Sequence, residues 1–83
     1  MRYKISVLGE NVYQSRVKQR LTQRDVANAA GIYHVTLSRL ERGEVQDLKG
    51  ATVSRIADKL GVSMDFLYGR TKERNATEIS YET

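Results

Sequence analysis

The stretch AGIYHVTLSRLERG, residues 30–43, decides the fold because it joins a turn to a short helix with two contrasting faces. Ile32, Leu37 and Leu40 fit one buried side of a helix that follows a turn at Gly31. The other side carries an aromatic phenol ring, an imidazole, an isopropyl group, a hydroxyl and two guanidinium groups, which belong to Tyr33, His34, Val35, Ser38, Arg39 and Arg42. This outward set is unusual for a surface that meets only solvent.

A second helix precedes this stretch. Thr22 is suited to cap its first turn, and Asp25 three residues later completes a capping-box pattern. Gly31 ends it as left-handed glycines commonly do, and Ala27 is small where the two helices would cross. Helix, glycine turn and helix over about residues 22–42 are typical of a helix-turn-helix.

Three further helical segments complete the middle of the chain. The first covers residues 10–20 and has few apolar residues on its inner side. The segment over residues 52–60 has the cleanest amphipathic spacing, with Val53, Ile56, Ala57 and Leu60. Ser63 caps a short last helix that stops at Gly69. The fold class predicted from these five helices is a compact all-α domain.

Both ends alternate apolar and polar residues, which is the periodicity of a strand. The alternating positions are Tyr3, Ile5, Val7, Ile79 and Tyr81. Two isolated strands are stable only if they pair with each other, pack against the helices or pair across a dimer. The alternative is that both ends are frayed tails. We expect one domain over residues 1–83, with its core in 8–69 and strand-like or flexible ends in 1–7 and 70–83.

Composition excludes several classes of protein. The chain has no cysteine and one histidine, which predicts no disulfide, no metal site and no cofactor. No apolar run approaches the roughly 20 residues that span a bilayer, so we expect a cytoplasmic protein without membrane contact. All fourteen Lys and Arg lie in residues 1–74 beside eight acids, a charge of +6 that favours polyanionic partners.

Catalysis is not indicated. His34 and Ser38 stand four residues apart, but a nucleophilic pair also needs an orienting acid and an oxyanion site, which the spacing does not supply. The chain is also short for a substrate pocket, and we expect no sensory domain and no small-molecule ligand. We therefore expect no catalytic residues.

The outward face of the helix in residues 33–42 suits the DNA major groove, which is about 12 Å wide and admits one α-helix. An arginine on this face can donate two hydrogen bonds to guanine O6 and N7, and Val35 can contact a thymine methyl group. Ser38 can form hydrogen bonds with base edges or with phosphate. Judged alone, an ordinary solvated face is equally compatible with these residues. Gln23 and Arg24 open the preceding helix, where backbone N–H groups attract a phosphate oxygen.

Residues 8–69 resemble the Cro and phage-repressor type of helix-turn-helix, the XRE family. The resemblance rests on LTQ opening the second helix, AGI at the turn, LSRLERG closing the third helix, and LGVS between the last two. It implies a five-helix domain that binds double-stranded operator DNA, commonly as a two-fold homodimer.

The resemblance also implies roles for individual residues. Base readers would be His34, Val35 and Arg39, with Tyr33 at the groove edge, and phosphate contacts would be Gln23, Arg42 and Lys49. The helix positions described above add Ser38 to the base readers and Arg24 to the phosphate contacts. Arg16 and Glu41 would form a structural ion pair. Phe66 and Tyr68 lie where the family makes its dimer contact, on a helix with more apolar surface than a monomer readily covers.

The chain departs from the family pattern at three places. Tyr33 stands where a Ser or Thr usually caps the reading helix, so either that helix starts differently, the ring contacts sugar-phosphate, or it packs on Ile32. Arg20 stands where a glycine often ends the first helix. The loop over residues 43–51 lacks the usual proline and is one residue longer.

Two functions remain open at this stage. The first is a sequence-specific DNA-binding transcriptional regulator, with repression expected. The alternative is an antitoxin or adaptor whose main partner is another protein. The polar, cationic face of the third helix favours the regulator, because protein-binding faces more often expose a contiguous apolar patch.

Overall fold

The computed structural model describes residues 6–74, which form five helices and no strand. The helices are α1 (Val7–Lys18), α2 (Gln23–Ala30), α3 (His34–Arg42), α4 (Gly50–Leu60) and α5 (Met64–Leu67). This architecture confirms the all-α fold class that the sequence predicted.

Helix α1 begins earlier than the sequence indicated. The Ser6 hydroxyl accepts a hydrogen bond from the Gly9 backbone N–H at 2.9 Å, so it caps a helix whose first residue is Val7. The expectation of a strand reaching Val7 is therefore wrong, because this residue is helical. The other alternating positions lie outside the described residues: Tyr3, Ile5, Ile79 and Tyr81.

Helices α2 and α5 start at the capping residues that the sequence predicted, whereas α4 starts at Gly50 rather than at residue 52 and has no side-chain cap. Thr22 and Asp25 form the expected capping box: the Thr22 hydroxyl accepts from the Asp25 N–H at 3.0 Å, and the Asp25 carboxylate accepts from the Thr22 N–H at 2.8 Å. Ser63 caps α5 by accepting from the Phe66 N–H at 3.0 Å. These caps fix where α2 and α5 enter the domain.

A single apolar core joins all five helices. Its fully or nearly fully buried residues are Leu8, Val12, Val26, Ala27, Ala30, Leu37, Leu40, Val53, Ile56, Ala57, Leu60 and Leu67. Helix α2 packs against α3 and α4, while α1 packs against α3 and α5. Gly9 lets α1 approach α3 closely, because a Cβ there would stand 2.1 Å from the Leu40 carbonyl oxygen. No helix within residues 6–74 is long and apolar enough to cross a membrane.

Candidate nucleic-acid interface

The first turn of α3 presents two large apolar side chains to solvent. Tyr33 is the N-cap residue, makes no side-chain capping bond, and has 82% of its surface exposed. Val35 is 46% exposed on the same turn. Helix α3 therefore starts immediately after Tyr33, and the exposed Tyr33 ring does not pack onto Ile32.

Two arginines on α3 have different surroundings. Arg39 is exposed, and its guanidinium makes no hydrogen bond or ion pair with any residue in 6–74. Arg42 donates from Nε to the Glu44 carboxylate at 2.6 Å and from Nη1 to the Ser38 hydroxyl. Ser38 and Arg42 are thus engaged with each other, whereas the guanidinium of Arg39 is available.

Beneath this face, a buried carboxylate joins three helical segments. Glu41 accepts from Arg16 Nε at 2.8 Å, from Arg16 Nη2 at 3.0 Å and from Gln23 Nε2 at 3.0 Å. Arg16 Nη1 also donates to the Leu21 carbonyl at 2.9 Å. The side chains of Arg16 and Glu41 are only 12% and 3% exposed, and the hydrogen bond to Glu41 raises the pKa of Arg16.

The structure therefore places Arg16 and Glu41 in the pairing that the resemblance implied, and it adds Gln23 as a third member. Sequence reasoning missed the contact between Gln23 and Glu41. The only signal in the sequence was a glutamine opening α2 while a glutamate occupied the inner flank of α3.

An open cleft of about 700 Å³ lies where α1, α2 and the start of α3 meet. Its lining is cationic or neutral: Arg16, Val17, Arg20, Leu21, Thr22, Gln23, Arg24 and His34. The cleft brings together Gln23, Arg24 and His34, while Arg39, Arg42 and Lys49 lie outside it. Lys49 is the exposed N-cap residue of α4 and makes no side-chain capping bond.

Phe66 and Tyr68 are half-buried against the core, so the expected surplus of exposed apolar surface on α5 is wrong for them. The Arg74 guanidinium lies 6.0 Å from the Phe66 ring centroid and Arg70 lies 5.0 Å from that of Tyr68. The Tyr68 hydroxyl donates to Asp47 Oδ1 at 2.9 Å. Burial, followed by this hydrogen bond, raises the pKa of Tyr68.

Within residues 6–74 no group of three or more His, Cys, Asp or Glu side chains is arranged to hold a metal ion. The chemistry of the outward surface is instead that of hydrogen-bond donors, one imidazole and uncompensated guanidinium groups.

Taken together, a capped α2, a left-handed glycine turn and an outward-facing α3 define the class of helix-turn-helix DNA-binding domains. A family model described as helix-turn-helix, of the Cro/C1 type or XRE family, matches residues 12–67. The chain belongs to this family, which confirms the resemblance seen in the sequence. Members bind double-stranded DNA as transcription regulators and are typically non-enzymatic. No curated protein and no solved structure matches the chain.

Proposed function

We propose that the protein is a sequence-specific repressor that inserts α3 into the major groove of its operator. The observation that carries this proposal is the outward face of α3, where Tyr33, Val35 and Arg39 are all exposed and the Arg39 guanidinium has no partner within the described residues. Exposed apolar groups next to an unpaired guanidinium suit thymine methyl groups next to guanine acceptors. Repression requires only that the bound domain occupies its site.

The contacts divide into those that read sequence and those that position the domain. Base edges would be read by Tyr33, His34, Val35, Ser38 and Arg39, and phosphates would be held by Gln23, Arg24, Arg42 and Lys49. Arg42 must exchange its bond to Glu44 for a phosphate. An exposed ion pair is worth only about 0.2–1 kcal/mol, so this exchange costs little.

Glu41 supports the phosphate contact of Gln23. One N–H of the Gln23 amide is held by the buried carboxylate, which fixes the side chain at the start of α2. The second N–H of the same group and the backbone N–H groups of Gln23 and Arg24 remain for a phosphate oxygen, since the Asp25 N–H is already bonded to Thr22. A preordered glutamine loses less conformational entropy when the DNA binds.

The test is selection of bound sequences from a random double-stranded DNA pool, followed by titration of the best sequence and a scrambled one. We expect enrichment of a near-palindromic site, because a two-fold dimer reads two half-sites. Arg39→Ala should cost about 1–3 kcal/mol on the enriched site and relax the choice at one base pair. Failure of the wild-type protein to enrich any sequence, or equal losses for Arg39→Ala on both DNAs, would contradict the proposal.

A further inference from the structure

Arg20 has a backbone conformation that its side chain disfavours. Its φ is +60°, and no other non-glycine residue in 6–74 has a positive φ. The four remaining residues with positive φ, which end the other helices, are glycines: Gly31, Gly43, Gly61 and Gly69. In this region the Cβ atom of an L-residue crowds the backbone, and arginine lacks the short polar side chain that lets Asn or Asp tolerate it.

The turn itself is required by the fold. The Arg20 N–H donates to the Val17 carbonyl at 2.9 Å and the Leu21 N–H to the Arg16 carbonyl at 3.0 Å, which closes α1. The same turn presents the Leu21 carbonyl to the Arg16 side chain. Glycine would form these bonds without crowding, so the fold gives no reason for an arginine at this position.

The side chain of Arg20 is accessible to a ligand. Arg20 is exposed, and its guanidinium makes no hydrogen bond or ion pair within the described residues. It lines the same cleft as Gln23 and Arg24, and no acidic residue among 6–74 lines that cleft. The charge of Arg16 is neutralised by Glu41, which leaves Arg20 and Arg24 as the uncompensated cations.

We propose that Arg20 is a DNA-backbone contact that binds a phosphate next to the one held by Gln23. This inference rests on the proposed function and deepens it. A phosphate fits better than a base, because Arg20 lies in the turn between α1 and α2, and the first helix of this motif crosses the sugar-phosphate backbone. A guanidinium fork also matches the geometry of two phosphate oxygens. The backbone strain is thus tolerated in exchange for DNA affinity.

The experiment compares Arg20→Gly, Arg20→Asn and Arg20→Lys with the wild-type protein. Thermal unfolding reports on the fold, and titration with the enriched site and with scrambled DNA at several salt concentrations reports on binding. Arg20→Gly should raise the melting temperature by a few degrees, weaken binding to both DNAs by a similar factor, and reduce the slope of log affinity against log salt by about one. Arg20→Asn should weaken binding in the same way, while Arg20→Lys should keep most of the affinity.

Different results would contradict the role of Arg20 and the proposed DNA-binding function. Unchanged affinity and salt slope in Arg20→Gly and Arg20→Asn, with Arg39→Ala still losing specificity, would overturn the role of Arg20 and leave the regulator intact. A loss confined to the enriched site would also overturn it, because a phosphate contact carries no sequence information. A wild-type protein that binds no DNA would overturn both.

Discussion

At the residue scale, the most consequential side chain is the buried carboxylate of Glu41. Removing two opposite charges from water is costly, and their attraction offsets that cost only when the remaining lone pairs are also satisfied. Glu41 meets this condition because its carboxylate accepts three hydrogen bonds from the side chains of Arg16 and Gln23. The arrangement ties the end of α1 to the start of α2 and to α3, so it is structural as well as a support for Gln23.

Removing Arg16 should therefore be severe. Arg16→Ala leaves the Glu41 charge buried without its main partner, and we expect a loss of about 3–5 kcal/mol in the free energy of unfolding. Arg70→Ala is the matched control, because its pair with Asp65 at 3.4 Å is exposed and should be worth about 1 kcal/mol or less. Urea unfolding of the two variants checks this, and equal midpoints for both would contradict it.

Glu44 should restrain DNA binding through Arg42. Glu44→Gln removes a negative charge whose Oε2 atom lies 2.5 Å from Arg42 Nη2. The same charge would also repel DNA phosphates. We expect affinity for all DNA sequences to rise by up to about fivefold, the equivalent of one exposed ion pair of about 1 kcal/mol. Asp65→Asn, which removes an equal charge from the other exposed pair, should leave affinity unchanged. Lower affinity in Glu44→Gln would show that Glu44 positions Arg42 productively.

At the element scale, the sequence predicted helix boundaries where a cap or a left-handed glycine marked them. Thr22, Ser63 and Gly31 behave as their residue types dictate. The start of α1 was misplaced because Ser6 caps it from within an alternating stretch, and alternation over a few residues does not distinguish a strand from the first turn of a helix. The thin apolar side of α1 was anticipated, since only Leu8, Gly9 and Val12 are buried along it.

Three glycine-to-alanine variants should separate backbone strain from close packing. At Gly61 (φ +69°) nothing lies within 4 Å of a new Cβ, so Gly61→Ala should cost only the left-handed penalty of about 1–2 kcal/mol. Gly9→Ala should cost more, because its Cβ would meet the Leu40 carbonyl and force α1 away from α3. Gly50→Ala, in the first turn of α4 with open space, should be neutral or stabilising by up to about 1 kcal/mol. Denaturant unfolding gives the order, and Gly61→Ala costing more than Gly9→Ala would contradict it.

At the scale of the whole molecule, the outward face of α3 was predictable because helical periodicity separates it from Leu37 and Leu40. The contact between Gln23 and Glu41 was not, because it depends on how two separate helices come together. A resemblance also assigns no role to a residue at a position where this chain departs from its family. Arg20 is such a position, and only its backbone angle and the cleft around it reveal a role.

The last prediction concerns assembly on DNA. A two-fold dimer, with Phe66 and Tyr68 proposed at its contact, would place two copies of α3 about 34 Å apart, one turn of DNA. Inserting about five base pairs between the half-sites of the enriched operator turns the second half-site to the opposite face of the duplex. Affinity should then fall to that of DNA carrying a single half-site, which serves as the control in the same titration. Monomers that bind independently would tolerate the insertion, so unchanged affinity for the spaced operator would rule out a rigid dimer.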